Sequence, residues 1–470
     1  MERRTIQYIA DACGGELWTP AKSGGASIEV TGVSTDSRSI AQGELFLAIR
    51  GEHFDGHQYL DVAVNRGAAG VLYERDGAEG KMVSKVPTIK VADSRRAFLD
   101  VAGCYRNDFE LPLVAVAGSN GKTTTKDLIQ SILRDRLATV ASEASFNNEI
   151  GVPKTLLRLN NKTRAAVLEV GSSYPGELEA LLRRVRPNIG VVTSIGREHL
   201  EFFGDLNGVI EEESALARSI SEDGVLIFNG DCEGVEHFRR HCAGRLIVVG
   251  HGHTSDVVLR EESTREGLQV SLEFREEGEQ LEVDLPIVGR HQAMNLALSA
   301  VVSKELGLSL EAVQAGLLAC RPSPRRMELI RGSQFSLLDD SYNANPDSMI
   351  RALESLSELP TTGRRIAVLG EMAEVGQQSP SLHREIGSKA GELGLDQLWA
   401  VGEGVATRYR EGANATGLRY VMVFRDARAC ASSLQDGLRE EDLVLVKGSR
   451  AARMDIVADA IRSRLKGGRA

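Results

Sequence analysis

The sequence has no run of apolar residues approaching the roughly 18 that a membrane-spanning helix needs, which excludes such a helix. It begins without an apolar core of signal-peptide length, so we expect a cytoplasmic protein with no membrane partner. Basic residues are not in excess, because the formal net charge is −10, and nucleic-acid binding is not expected. The six cysteines lie too far apart for metal-type pairing and are typical of reduced thiols.

The chain does have enough length for about three domains, since it contains 470 residues with 42% hydrophobic and 26% charged residues. Strand and helix patterns alternate along it, which indicates mostly parallel sheets covered by helices. We therefore predict an α/β fold of three domains. These are a small α/β N-terminal domain over residues 1–92, a central domain with a mostly parallel sheet over 93–318, and a C-terminal Rossmann-like domain over 319–470.

Three local patterns give testable structural predictions. Residues 27–34 predict one strand of the first domain, and Ser94 predicts the N-cap of a helix that runs to about Asn107. Residues 208–219 predict a single helix of the central domain.

A strand, a glycine loop and a helix follow one another from Leu113 onwards. Such a unit binds anions, because the first helical N–H groups lack intrahelical partners and carry partial positive charge. Lys122 can reach terminal phosphates, and the Thr123 hydroxyl suits Mg²⁺. We predict that this loop binds ATP through Gly118, Ser119, Asn120, Gly121, Lys122, Thr123 and Thr124.

The loop follows the shorter Gly-x-x-Gly-Lys-Thr pattern, because Val116 stands where the longer phosphate-loop pattern has glycine. The alternative interpretation is a glycine turn before an ordinary helix. The order of strand, loop, lysine and threonine favours the phosphate site.

Polar residues follow other predicted strands of the central domain. Ligands of open α/β sheets bind beyond the carboxyl ends of strands, so Glu169, which ends an apolar strand, is a candidate Mg²⁺ ligand. His199 follows the next strand and is either a metal or phosphate ligand or a structural histidine. Asn147 and Asn148 either bind a ligand or cap the helix that follows, and capping is favoured.

A similar arrangement occurs in the C-terminal domain. The segment 339–347 is polar and turn-forming and directly follows an apolar strand, which favours a ligand loop over a solvated hairpin. The segment 447–450 has the same position after a later strand.

The order of these motifs resembles the Mur ligase family, whose members are ATP-dependent ligases that build the cell-wall stem peptide. The resemblance covers almost the whole chain. It is carried by residues 35–38 and 51–57 in the first domain, by residues 118–124, 147–153, 169–171, 199–200 and 289–295 in the second, and by residues 326–328, 340–346, 370–376 and 447–450 in the third.

The resemblance implies a ligase that adds D-alanyl-D-alanine to UDP-N-acetylmuramoyl-tripeptide through an acyl phosphate. The family member that adds diaminopimelate or lysine carries an Asp-Asn-Pro-Arg type motif, which this chain lacks. The alternatives are a ligase for the third stem residue, a folate-polyglutamylating ligase, and a nucleotide-dependent switch that binds ATP without ligation. The motif at 340–346 and the first domain with its Arg38 argue against the other two ligases.

The resemblance also implies roles for individual residues of an expected monomer. The first domain would hold the UDP-sugar, and Lys122 would contact the γ-phosphate of ATP. The substrate residues would be Ser34, Asp36, Ser37, Arg38, Asn147, Asn148, Asn343 and Asn345. The nucleotide would also contact Asn295, Arg326 and Asp340, and Mg²⁺ would be held by Thr123, Glu169 and His199.

One position departs from the family. Members usually carry a lysine fourteen residues after the histidine that matches His199, and its carbamylation makes a long anionic Mg²⁺ ligand. This chain has Glu213 at that position. We predict that Glu213 supplies the carboxylate directly or through a water, without CO₂. The alternatives are a solvated acidic helix face and an incorrect alignment.

Overall fold

A computed structural model describes residues 1–21, 25–51, 54–74, 85–264, 267–321 and 323–467 of the chain. Its strands form three large sheets of five, nine and six strands, together with one two-stranded sheet. Most neighbouring strands in the three large sheets are parallel, and helices cover the sheets, which confirms the predicted α/β class. Across these described residues, every helix is too short or too polar to span a bilayer.

The N-terminal domain is small and its strands are short. Its elements are β1 (Arg4–Thr5), α1 (Ile6–Cys13), β2 (Glu16–Trp18), β3 (Glu29–Val30), β4 (Val33–Ser34), β5 (Leu45–Leu47), α2 (Leu60–Asn65), β6 (Gly70–Glu74) and β7 (Thr88–Val91). The sheet has the order β2-β7-β6-β5-β4, and only β2 is antiparallel to its neighbour.

The predicted single strand over 27–34 is wrong, because the structure contains two strands there with different partners. Strand β3 pairs with β1, whereas β4 pairs with β5. Between them, the N–H of Thr31 donates to the carbonyl of Gly43 (2.9 Å), and the carbonyl of Gly32 accepts from Leu45 (2.8 Å). These bonds bend the chain from one sheet into the next.

Helix α3 (Ser94–Arg106) connects the first domain to the second, and its core residues belong to a hydrophobic cluster shared by both. Its N-cap is Asp93, not Ser94 as predicted. The Asp93 carboxylate accepts the N–H groups of Arg95 (2.9 Å) and Arg96 (3.0 Å), while Ser94 is buried as the first helical residue.

The central domain alternates strands and helices before a β-rich excursion. Its elements are β8 (Leu113–Ala117), α4 (Lys122–Leu133), β9 (Thr139–Ala141), α5 (Gly151–Leu156), β10 (Ala165–Glu169), α6 (Glu177–Val185), β11 (Ile189–Val192), α7 (Leu200–Phe203), α8 (Leu206–Glu213), α9 (Ala215–Ser219), β12 (Val225–Asn229), α10 (Val235–His241), β13 (Arg245–Gly250), β14 (Val257–Ser263), β15 (Leu268–Phe274), β16 (Glu279–Leu285), α11 (His291–Glu305) and α12 (Leu310–Ala319).

The central sheet has the order β16-β15-β14-β13-β12-β11-β8-β10-β9. Strands β8 to β14 are parallel, and β15 and β16 extend the sheet as antiparallel strands. Strand β8 therefore lies between β10 and β11, so that the loops after these three strands meet at one edge of the sheet.

The predicted helix over 208–219 is interrupted at Ser214, where α8 ends and α9 begins. The hydroxyl of Ser214 donates to the carbonyl of Glu211 (2.6 Å) and accepts from Arg218 (2.7 Å). A serine bonded to the preceding turn competes with the regular helical pattern, which explains the break.

The C-terminal domain is a doubly wound α/β unit. Its elements are β17 (Glu328–Arg331), β18 (Ser336–Asp340), α13 (Pro346–Glu358), β19 (Arg365–Leu369), α14 (Ser379–Glu392), β20 (Gln397–Val401), α15 (Val405–Ala415), β21 (Val421–Phe424), α16 (Ala427–Gly437), β22 (Leu443–Lys447) and α17 (Asp455–Gly467). The order is β17-β18-β22-β19-β20-β21, with only β17 antiparallel. Helices α13 to α15 pack on one face, and α16 and α17 pack on the other.

His383 on α14 is fully buried and is bonded as a neutral imidazole. Its Nε2 accepts the N–H of Met372 (3.0 Å), and its Nδ1 donates to the carbonyl of Ser379 (2.7 Å). Burial lowers the pKa of His383 below its ordinary value.

We expect the C-terminal domain to lose stability as the pH falls below about 6.5, where His383 of the unfolded chain becomes protonated. Because the pKa of His383 is lower in the folded state, stability continues to fall until the pH reaches that lower pKa. The slope is no more than about 1.4 kcal/mol per pH unit. Thermal unfolding of the wild type and of a His383→Gln variant between about pH 7.5 and about pH 5 measures this pH dependence of stability. The variant is expected to depend less on pH, and identical profiles would contradict this role.

Candidate active site

A cleft of about 920 Å³ lies between the central and C-terminal domains, at the carboxyl ends of their parallel strands. Most of the predicted site residues line it, although they come from segments far apart in sequence. They are Ser119, Asn120, Gly121, Lys122, Thr123, Thr124, Asn147, Asn148, Glu169, His199, Asn295, Arg326, Asp340, Asn343 and Asn345. Gly118 and Glu213 do not line the cleft but lie buried close to Lys122.

The glycine loop between β8 and α4 is supported by the segment that follows β11. The N–H groups of Ser119 and Asn120 donate to the carbonyl and hydroxyl of Ser194, each at 2.8 Å. Gly118 and Gly121 have φ of +112° and +89°, and a Cβ on Gly121 would lie 2.3 Å from Asn295 Oδ1. The loop therefore requires glycine and directs the free N–H groups of α4 towards the cleft.

Lys122 is surrounded by three buried carboxylates. Its ammonium donates to the carbonyl of Gly118 and lies 3.6 Å from Glu198 Oε2. Burial alone would lower the pKa of Lys122, but the charges of Glu198, Glu213 and Glu169 outweigh it and raise the pKa above its ordinary value. Lys122 is thus a cation held at the glycine loop.

The side chains of Thr123 and Glu169 place two oxygen atoms that can bind a metal side by side. The Thr123 hydroxyl donates to Oε2 of Glu169 (2.7 Å), and the Asn147 amide donates to Oε1 (2.9 Å). Glu169 is 1% exposed, so this carboxylate is held rigidly at the end of β10. Oxygen donors of this kind are the ligands that Mg²⁺ prefers.

The capping role favoured from the sequence is wrong for Asn147, whose amide donates to Glu169, and the N-cap of α5 is Ile150. Asn148 bonds to the first N–H groups of the helix without being its N-cap. Its side-chain oxygen accepts the N–H groups of Ile150 (3.2 Å) and Gly151 (3.0 Å) at the start of α5.

Glu213 has an incomplete hydrogen-bond environment. Its residue is 3% exposed, and among the described residues its buried Oε2 has no hydrogen-bond partner. Burial raises the pKa of Glu213 to about 8, with a further contribution from the charge of Glu198, while Lys122 acts in the opposite direction. A buried acceptor without a partner is costly, which fits a position that a cation or a bound water completes.

Within the described part of the chain, no three His, Cys, Asp or Glu side chains are grouped so that they could hold a metal ion. The predicted metal residues instead lie apart. Thr123 and Glu169 form a pair, Glu213 lies close to Lys122, and His199 contacts Glu198 and Glu374. This arrangement fits Mg²⁺, which is usually bound by one or two carboxylates together with water and substrate phosphates.

The residues predicted to contact the nucleotide lie on both sides of the cleft. The Asn295 amide oxygen accepts from Thr125 (3.3 Å) on α4. The Arg326 guanidinium lies 4.1 Å from the centre of the Tyr342 ring. Oδ2 of Asp340 lies 2.5 Å from Lys447 Nζ.

The C-terminal domain contacts the glycine loop directly. The Asn345 amide at the start of α13 donates to the Asn120 side chain (3.0 Å). Arg197, which follows β11, donates through its backbone N–H (2.6 Å) and its Nε (2.8 Å) to Asp347, and it also pairs with Glu385 (3.0 Å). These contacts close the cleft over the loop.

The sequence analysis missed Glu198, which precedes His199 and is 7% exposed. Its Oε2 lies 3.6 Å from Lys122 Nζ and 3.9 Å from His199 Nε2. The only signal in the sequence was its position beside His199 after a predicted strand. Tyr342 was also missed, because its stacking on Arg326 joins a loop to a distant segment.

The predicted substrate residues of the first domain, Ser34, Asp36, Ser37 and Arg38, do not line this cleft but form a separate loop. Arg38 donates to both carboxylate oxygens of Asp36, and this hydrogen bonding lowers the pKa of Asp36 to about 2. The side chain of Arg38 is 87% exposed, so the pair is presented to solvent. Glu52 and His53 of the motif at 51–57 lie outside the described residues.

A second cavity, of about 880 Å³, lies at the opposite edge of the central sheet and is lined by several arginines. Arg106 donates to the carbonyls of Val185 (3.2 Å), Phe109 (2.8 Å) and Arg186 (3.4 Å), at the end of α6 and after α3. Arginines at helix C-termini satisfy free carbonyls and offset the helix dipole, so this arrangement has a structural explanation.

A cationic lysine, a glycine loop at a helix N-terminus and an adjoining Thr–Glu oxygen pair define an enzyme that uses a nucleoside triphosphate. Three family models match the chain: the "Mur ligase family, catalytic domain" over residues 29–103, the "Mur ligase middle domain" over 116–303, and the "Mur ligase, glutamate ligase domain" over 325–450. The chain belongs to the Mur ligase family.

Similar proteins and solved structures cover nearly the whole chain. UDP-N-acetylmuramoyl-tripeptide–D-alanyl-D-alanine ligase of Bacillus subtilis is 31% identical and aligns with 99% of this chain and 100% of its own length. The crystal structure of MurF from Acinetobacter baumannii has a TM-score of 0.88 at 28% identity and covers 98% of this chain and 99% of its own. MurF from Thermotoga maritima in complex with ADP has a TM-score of 0.80 at 25% identity and covers 93% and 98%.

Proposed function

We propose that the chain uses ATP to join D-alanyl-D-alanine to the terminal carboxylate of a UDP-N-acetylmuramoyl-tripeptide. The observation that carries this proposal is the end-to-end similarity to the Bacillus ligase of that name, which leaves no domain of either protein unmatched. The ADP complex of the Thermotoga relative supports ATP as a substrate. The charged cleft between two domains supplies a suitable place for the reaction.

The proposal assigns one task to each domain. Residues 1–92 hold the UDP-sugar through the loop that contains Arg38, and residues 93–318 bind ATP at the glycine loop. Residues 319–470 close over both substrates and bring the dipeptide. Asn343 and Asn345, near the start of α13, line the cleft, which supports their proposed contact with substrates.

Lys122 offsets the repulsion between the two anions that meet in the first step. A carboxylate is a poor acyl donor, so ATP converts it to an acyl phosphate, and two anions must approach each other. The Lys122 ammonium and the free N–H groups of α4 offset this repulsion and stabilise the transferring phosphoryl group. Neighbouring carboxylates keep Lys122 protonated for this task.

The residues proposed to hold Mg²⁺ are Thr123, Glu169, His199 and Glu213. Mg²⁺ when bound supplies positive charge that neutralises phosphate oxygens. The buried Oε2 of Glu213 supports its inclusion, because that atom lacks a partner among the described residues. The hydrogen bonds from Thr123 and Asn147 hold Glu169 in place.

The second step is attack of the dipeptide amine on the acyl carbon, followed by release of phosphate. Water would hydrolyse the acyl phosphate, so the cleft has to exclude it. The contacts of Arg197 with Asp347 and of Asn345 with Asn120 hold the C-terminal domain against the loop and serve this purpose.

We further propose that the enzyme works as a monomer in the cytoplasm. Residues of the central and C-terminal domains of the same chain line the cleft. The six cysteines are unpaired, which agrees with a reducing compartment.

A phosphate-release assay tests the function. With ATP and magnesium, we expect release only when both UDP-N-acetylmuramoyl-tripeptide and D-alanyl-D-alanine are present, because ligation needs both. Mass spectrometry of the joined product is the second readout. Release with a single amino acid instead of the dipeptide would indicate a ligase for another residue, and hydrolysis that ignores both substrates would indicate a nucleotide switch.

A further inference from the structure

We propose that Glu374 of the C-terminal domain is a positioning residue for His199, so that His199 is correctly oriented only when the C-terminal domain is docked on the central domain. The inference rests on the proposed function, because it takes His199 as a ligand of the metal that accompanies ATP. In this proposal, Glu374 of the C-terminal domain controls the orientation of His199 in the central domain.

The two side chains meet across the cleft. Nδ1 of His199 lies 2.5 Å from Oε2 of Glu374, and both residues line the cavity. This is a close ion-pair contact without the alignment of a hydrogen bond, because Nδ1 has no hydrogen-bond partner among the described residues. Both have left-handed backbone conformations that are uncommon outside glycine, with φ of +47° for His199 and +59° for Glu374. Such conformations persist only where the surrounding structure imposes them, and they are concentrated at functional sites.

Backbone contacts hold the two segments together independently of this side-chain pair. The N–H of Glu201 in α7 donates to the carbonyl of Glu374 (3.1 Å). The side-chain amide of Gln378 donates to the carbonyl of Gly204 (3.2 Å). The Glu374 carboxylate is therefore delivered to His199 by a docked segment rather than by a freely moving side chain.

The contact selects one form of the imidazole. A carboxylate beside Nδ1 favours the tautomer that carries its proton there, which leaves the lone pair of Nε2 free to bind a metal. Nε2 faces the other side, 3.9 Å from Oε2 of Glu198, in the direction of Lys122.

The arrangement couples domain docking to the metal site. When the C-terminal domain is away, His199 loses its carboxylate partner, and the imidazole is free to rotate and to change tautomer. Docking restores the partner and turns Nε2 towards the phosphate-binding loop. Carboxylate partners of metal-bound histidines commonly change metal affinity or activity by about 10-fold to 100-fold when they are removed.

The test compares Glu374→Ala, Glu374→Gln and Glu371→Ala in the full-length protein. Glu371 is an exposed glutamate of the same segment, so its variant removes the same charge without touching His199. The first readout is Mn²⁺ affinity in the presence of ADP, measured by electron paramagnetic resonance. We expect binding at least about 10-fold weaker for Glu374→Ala, and near wild type for Glu374→Gln, whose amide oxygen can occupy the same place beside Nδ1, and for Glu371→Ala.

The second readout is the ¹⁵N NMR signal of the His199 ring, assigned by its loss in a His199→Gln variant. We expect the Nδ1–H tautomer in the wild type and in Glu374→Gln, and a mixture of tautomers in Glu374→Ala. Unchanged Mn²⁺ affinity and tautomer in Glu374→Ala would overturn the proposal, as would an equal loss in Glu371→Ala. Neither readout requires the dipeptide, so failure of ligation by the wild type would count against the proposed function and not against this contact.

Discussion

Replacement of Lys122 by methionine is expected to lower phosphate-releasing turnover by at least about 100-fold, the usual effect of removing one preorganised group that stabilises a transferring charge. Methionine keeps much of the side-chain length but removes the ammonium that faces the cleft. Glu169, Glu198 and Glu213 then lose their common counter-charge, so ATP is also expected to bind more weakly. Steady-state assays with saturating substrates separate the effect on kcat from the effect on KM.

Lys126→Met is the matched control, because Lys126 is a second buried lysine on α4 that does not line the cleft. Its ammonium donates to the carbonyl of Ser142 (2.9 Å), so its loss is expected to reduce thermal stability more than turnover. Equal losses of turnover in both variants would show that buried charge in general, and not the position of Lys122, is responsible. Near-normal turnover in Lys122→Met would refute its role.

Replacement of Glu213 by glutamine is expected to lower magnesium-dependent turnover by about 10-fold to 100-fold, by analogy with other residues that support a bound metal. Glutamine has nearly the shape of a protonated glutamate, the form that burial of Glu213 favours. Loss of activity with an unchanged melting temperature would therefore reflect loss of the ionisable carboxyl group and not a damaged core. Turnover as a function of magnesium concentration, together with melting temperature, tests this.

Two further variants complete the Glu213 experiment. Glu211→Gln is the control, because Glu211 lies on the same helix but its side chain is 63% exposed. Glu213→Lys restores the residue usual in the family, and its activity is expected to rise with added bicarbonate if a carbamylated lysine can replace the carboxylate. Unchanged activity in Glu213→Gln would exclude Glu213 from the metal site.

Much of the glycine-loop side of the cleft could be predicted because its structure is local. The glycine loop, Lys122 and Thr123 are contiguous, and the backbone rules for helix N-termini act over a few residues. The positions of Glu169 and His199 in the cleft needed one more assumption, that loops after parallel strands share an edge, and β10 and β11 do flank β8.

Other features could not be read from short patterns. The helix predicted over 208–219 breaks because the Ser214 hydroxyl bonds to its own preceding turn, an alternative that periodicity does not register. In the sequence, Glu198 is one polar residue of a loop. Its burial beside Lys122 is set by the tertiary fold. Glu374 lies in the motif at 370–376, which indicates only the resemblance to the family. Its contact with His199 joins two domains, so no short pattern predicts it.

The sequence by itself determined the α/β class, the strand, glycine loop and helix from Leu113 onwards, and the family, because these follow from periodicity, glycine placement and motif order within short segments. Only the tertiary structure decided which carboxylates surround Lys122, that Glu213 has an unpartnered oxygen, and that Glu374 meets His199. Burial and long-range contact set the charge and orientation of these groups, and neither is encoded in any single stretch of the chain.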